Sequence, residues 1–105
     1  MIWQNTPLNF HERITHMDLI RTLNSIGKST FVKYYDNFKT KDREECIAQF
    51  AEAYTDNAKN TRTRHAQRIF RENKQIEALE IIVNSNRVDD VTRKRAKEIL
   101  LIETK

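Results

Sequence analysis

The chain of 105 residues has one glycine (Gly27), one proline (Pro7) and one cysteine (Cys46). So little glycine and proline counts against a β-rich fold, which spends several of each on tight turns, and favours helices joined by short polar links. One cysteine cannot close an internal disulfide. Cys46 falls in a helical apolar pattern, which makes it a buried, inert thiol. No run of about 18 apolar residues is present, so no membrane span is expected. Met1 to Phe10 lack both a basic start and an apolar stretch, so no secretory signal is read there, and a cytoplasmic home is the default. The three histidines are scattered. His11 and His16 miss the i, i+4 spacing that puts two ligands on one helix face, and no Cys or acid cluster completes a metal site. No catalytic residue, metal or cofactor is expected. No carboxylate pair or Cys–His arrangement stands in a catalytic frame, so the chain is read as not an enzyme.

What is present is helical. Apolar residues make up 38% of the chain and charged residues 32%, with five Phe, three Tyr and one Trp, a globular balance near its polar edge. The length suits one domain. Residues 1–105 are therefore read as a single helical domain in which 1–14, without clear period, either dock through Trp3, Leu8 and Phe10 or form an N-terminal arm. Leu19, Ile20, Leu23 and Ile26 recur at helical spacing and predict a helix from about Thr15 to Ile26, with Gly27 as its stop. A second helix is expected from Ser29, an N-cap residue, with Phe31, Tyr34, Tyr35 and Phe38 inward. Thr40 is read as the cap of a third, with Cys46, Ile47, Phe50 and Tyr54 inward and Asp42, Glu44 and Glu45 in its first turn. Thr55 to Asn60 read as a link. A fourth helix follows from about Thr61 to Glu72 with Ala66, Ile69 and Phe70 inward, then a turn at Asn73. A fifth carries Ile76, Leu79, Ile82 and Val83. A sixth follows Ser85 to Asp89 and ends near Ile102, with Ala96, Ile99 and Leu100 inward. The expected fold is all-α, an irregular bundle of five to six short amphipathic helices with a helix–turn–helix-like hairpin near residues 16–39. A strand over Trp3 to Phe10, or near Val83, is the alternative.

The charge is uneven. The net charge is +4, and residues 1–54 are balanced, so the whole excess lies in 55–105, most of it between Asn60 and Ile76. Such asymmetry speaks of partners rather than of fold. Arg64, Arg68 and Arg71, at i, i+4 and i+7, share one helix face opposite Ala66, Ile69 and Phe70. They form a positive ridge along about 10 Å of helix. Their repulsion would be relieved by an anionic partner, and guanidinium forks suit phosphate. The plain alternative is a solvated face paired with acids of a neighbouring helix. Lys74, and Arg93, Lys94, Arg95 and Lys97 further on, could extend the patch, although Lys94 can pair with Asp90.

Other motifs carry less. Gly27-Lys28-Ser29-Thr30 has the look of the tail of a phosphate-binding loop, but Thr22 stands where the first glycine belongs and a helix precedes it where a strand is needed. The stretch from Ile26 through Tyr35 and Phe38 to Lys41 resembles the DNA-binding unit of tetracycline-repressor-type regulators, with a Gly turn, an aromatic pair and Phe38-Lys39-Thr40-Lys41 before an acidic helix start. That resemblance implies base-reading roles for Lys28, Lys33 and Asn37. The turn-to-Phe distance is one residue longer than the pattern, and Lys28, Lys33 and Asp36 stand where it places apolar residues. Ala66, Ile69, Phe70, Asn73, Ala78 and Ile82 resemble a tetratricopeptide-like hairpin, which implies two antiparallel helices. Only one copy is present, and Arg62 and His65 replace its large residues, so no repeat protein follows.

Two functions emerge. The first is a small basic nucleic-acid-binding or regulatory protein that contacts phosphates through Arg64, Arg68 and Arg71, with Lys74, Lys94, Lys97, Lys28 and Lys33 around them. The second is a protein-interaction module (an adaptor, inhibitor or immunity-type protein) whose basic face meets an acidic surface, with Trp3 and Phe10 as anchors. A homodimer is compatible with either.

Overall fold

The computed structural model describes residues 15–105. The N-terminal arm, the anchors Trp3 and Phe10, His11 and the alternative strand over Trp3 to Phe10 lie outside them. The described residues form seven helices and no strand: α1 His16–Ile26, α2 Lys28–Lys33, α3 Tyr35–Thr40, α4 Arg43–Gln49, α5 Asp56–Arg71, α6 Gln75–Val83 and α7 Asp90–Glu103. The Val83 region is thus the end of a helix. No helix among them is long and apolar enough to cross a membrane.

Four helices start on a side-chain cap, each contributing about 1 kcal/mol. Thr15 accepts from the Asp18 N–H, Asp42 from Glu45, Thr55 from Ala58 and Asp89 from Thr92. Three starts differ from expectation. Ser29 is not the cap, because α2 begins at Lys28 with Gly27 at its N-cap position. Thr40 closes α3, its hydroxyl donating to the Asp36 carbonyl, and Asp42 caps α4 instead. The segment read as a link from Thr55 to Asn60 is the cap and first turns of α5, and the link is Phe50 to Thr55. None of the residues from Thr55 to Asn60 is buried, so this polar helix start lacks the apolar period that marks a helix in sequence.

The expected second helix is two. At Tyr34 the backbone leaves helical geometry (φ −108°, ψ 23°) and restarts at Tyr35. Adjacent residues of a continuous helix point about 100° apart, so only one of an aromatic pair sits at the centre of a buried face. The break buries both Tyr34 and Tyr35. Gly27 holds φ +93°, which side chains rarely adopt, while its N–H caps the Leu23 carbonyl. A Cβ there would sit 3.3 Å from the Arg62 guanidinium.

α1 packs on α5 along Leu19, Leu23 and Ile26 on one side and Ala66 and Ile69 on the other, while α6 packs chiefly on α7. α1 therefore occupies the α5 stripe that a tetratricopeptide-like pairing would give to α6. All the described aromatic rings join one network, from Tyr54 through Phe50, Tyr34, Phe38, Phe31 and Tyr35 to Phe70.

The last turn of α7 is tied back to α3. Glu103 accepts from the Tyr35 hydroxyl and, at 2.8 Å, from Lys39 Nζ. Lys39 first, then Tyr35, holds the Glu103 carboxyl below its usual range. The folded state therefore favours the charged form. The resulting stability is present above the ordinary glutamate value of 4.5 and is lost as pH falls through the lower folded value. Glu103→Gln should cost about 1.5 kcal/mol at neutral pH, in the range for hydrogen bonds to a charged group. The difference from wild type should shrink in urea melts at pH 3. A difference unchanged between the two pH values would remove the charge from the account.

Candidate phosphate-binding face

The face is built on α5. Thr63, Ala66 and Ile69 turn into the core, so the helix period directs Arg64, Arg68 and Arg71 outward. Gln67 turns toward the neighbouring elements and donates from Nε2 to the Lys41 carbonyl at 2.8 Å, binding α5 to the turn between α3 and α4. Cys46, buried on α4, donates to the Asn37 carbonyl at 3.1 Å in the same junction. This strapping sets Arg43, the first residue of α4, beside the ridge. Arg43, Arg64, His65, Gln67, Arg68 and Arg71 line an open depression of about 500 Å³, with no carboxylate among the described residues of its wall.

Arg68 Nε lies 3.5 Å from Glu72, one turn on. Arg43, Arg64 and Arg71 have no ion pair with any described residue. The local field is visible at His65, whose pKa is held down first by partial burial and then by Arg64 and Arg68. The Arg64 and Arg68 share of that shift, unlike the burial share, marks a positive potential that favours an anion at the same place.

The other basic residues go elsewhere. Arg62 donates to the Ile26 carbonyl at the end of α1, and its guanidinium lies 4.1 Å from the Tyr54 ring centroid. It braces the α1–α2 corner. Lys74 approaches Glu77 at 3.7 Å, a carboxylate that also meets His16 Nδ1 at 2.6 Å. Lys28 bonds Asn24 and lines a separate depression with Arg87 and Asp89. Lys33 pairs with Glu52 at 3.0 Å. Asn37 is half-buried and its carbonyl accepts from Cys46. Lys94 and Lys97 are exposed on α7, which packs chiefly on α6 and α2, and neither lines the depression. Asp90 pairs with Arg93 at 3.0 Å and not with Lys94. Arg93 also donates to the Ser85 and Val88 carbonyls and closes the α6–α7 loop.

The structure thus gathers Arg64, Arg68 and Arg71 and adds Arg43, which the sequence reading did not single out. Arg43 stands among Asp42, Glu44 and Glu45, where local charge hides it, and only the docking of α4 on α5 brings it to the face. No protein family, curated protein or solved structure matches this chain.

Proposed function

We propose that the α5 face binds nucleic acid through its phosphates, without reading bases. The observation that carries this reading is the convergence of Arg43, Arg64, Arg68 and Arg71 on one depression, with no carboxylate among the described residues of its wall. Three of these guanidiniums lack an ion-pair partner among the described residues, so their forks are available to phosphate oxygens. Phosphate contacts position a protein on a strand but carry no sequence information. Base stacking would need an exposed ring. The described aromatics are taken by the core network, so the described residues of this face offer none.

The test is fluorescence anisotropy of a labelled random duplex and a random single strand, titrated with the full chain at two salt concentrations. With three to four phosphates neutralised, duplex affinity should fall roughly 40- to 150-fold between about 50 and 200 mM salt, through counterion release. Duplexes of differing base composition should bind alike. Absence of binding at the lower salt would remove this function, and a strong preference for one sequence would remove the phosphate-only form of it.

A further inference from the structure

A second surface lies on α7 and is independent of the α5 face. Among the described residues four large apolar side chains are strongly exposed, and three of them belong to this one helix: Val91 at 78%, Leu101 at 70% and Ile102 at 63%. Val91 and Ile102 are eleven residues apart, which places them within about 20° of one another around the axis and about 16 Å apart along it. The inner side of α7 carries Thr92, Ala96 and Ile99, all buried.

The exposed residues do not sit on a frayed end. Glu103 is clamped by Tyr35 and Lys39, and the Thr104 hydroxyl donates to the Leu100 carbonyl at 2.7 Å. The last turn is therefore held while it presents Leu101 and Ile102 to water. Exposed aliphatic groups held on a fixed helix can serve as anchors for a partner surface.

Charge says what kind of cover. Lys94 and Lys97 lie along α7 between Val91 and Leu101 and, around the axis, flank Leu101, with no ion pair to any described residue. The two acids nearby are occupied, Asp90 by Arg93 at 3.0 Å and Glu98 by Arg95 at 3.5 Å. A second copy of this helix would bring the same surplus of cations against itself. We infer that the outer face of α7 docks an acidic amphipathic helix of a protein partner, with Val91, Leu101 and Ile102 as apolar anchors and Lys94 and Lys97 meeting its carboxylates.

The test is an NMR titration of the full chain with a synthetic peptide helix carrying leucines at i, i+4, i+7 and i+11 and glutamates along both flanks. Saturable shifts should map to the Val91, Leu101 and Ile102 methyls. Val91→Glu and Ile102→Glu should each weaken binding ~10-fold or more, as loss of an anchor does. Both substitutions fall at exposed positions, and unchanged helical circular dichroism would exclude misfolding. Arg64→Glu, on the other face, should leave peptide affinity unchanged. The inference is overturned by shifts that map to the α5 face or by equal binding of a scrambled peptide of the same composition. It is equally overturned by binding to vesicles of phosphatidylcholine and phosphatidylserine in equal parts without binding to the peptide. Concentration-dependent dimerisation lost in Ile102→Glu would assign the face to a second copy and overturn it too.

Discussion

Combined substitution of Arg43→Glu, Arg64→Glu and Arg71→Gln is expected to lower duplex affinity by about two to three orders of magnitude at 0.1 M salt. Three phosphate contacts are lost, each contributing about 0.9 to the slope of log affinity against log salt. The slope itself should flatten by about 2.7, and that flattening separates lost phosphate contacts from a general loss of folded protein. The choice of residues follows from the geometry. Arg68 is left in place because Glu72 lies 3.5 Å away and a reversed charge there would repel it. Arg43 is the first residue of α4, where a carboxylate suits the positive end of the helix. Arg71 ends α5 next to Glu72, so neutral Gln is chosen over a third acid. Helical content should stay that of the wild type. Duplex binding with an unchanged salt slope would show that the phosphates are held elsewhere and would dismiss the α5 face.

Phe31→Ala should be the most damaging single truncation in the core. Phe31 is fully buried, with its ring 5.5 Å from Tyr35, 5.8 Å from Phe70 and 6.4 Å from Phe38, so it joins α2 to both α3 and α5. Removing a buried phenyl group costs about 3–5 kcal/mol through lost transfer energy and the cavity left behind. A domain of this size has about 5–15 kcal/mol in all. Thermal unfolding should accordingly fall by roughly 12 °C or more. Phe70→Ala, at the partly exposed edge of the same network, should cost less because the site can fill with water or collapse. A loss below about 1 kcal/mol for Phe31→Ala, measured by urea denaturation, would mean that the rings do not hold α2, α3 and α5 together.

Much of the fold was legible because it depends on period. One apolar stripe per helix placed Leu19, Leu23, Ile26, Ala66, Ile69, Leu79, Ile82, Ala96 and Ile99 inside, and all are buried. Gly27 and Asn73 were legible as stops for a backbone reason. Both hold positive φ, at 93° and 58°, a region that glycine and asparagine enter most readily. Helix starts at Asp42 and Thr55 were not legible. A cap is one polar side chain among several, and which one accepts the N–H depends on where the chain enters the helix.

The sequence by itself determined that the described chain is helical, that its excess positive charge lies in the second half, and that Arg64, Arg68 and Arg71 share one side of a helix. These follow from composition and a repeat of 3.6 residues, both local properties. Only the tertiary structure decided which charges remain available. It spends Arg62 on the end of α1, Lys33 on Glu52 and Lys74 on Glu77, and it brings Arg43 from an acidic neighbourhood to the ridge. It also pins α7 so that Val91, Leu101 and Ile102 face water. Pairing and exposure depend on distances between elements far apart in the chain, and no local pattern encodes those distances.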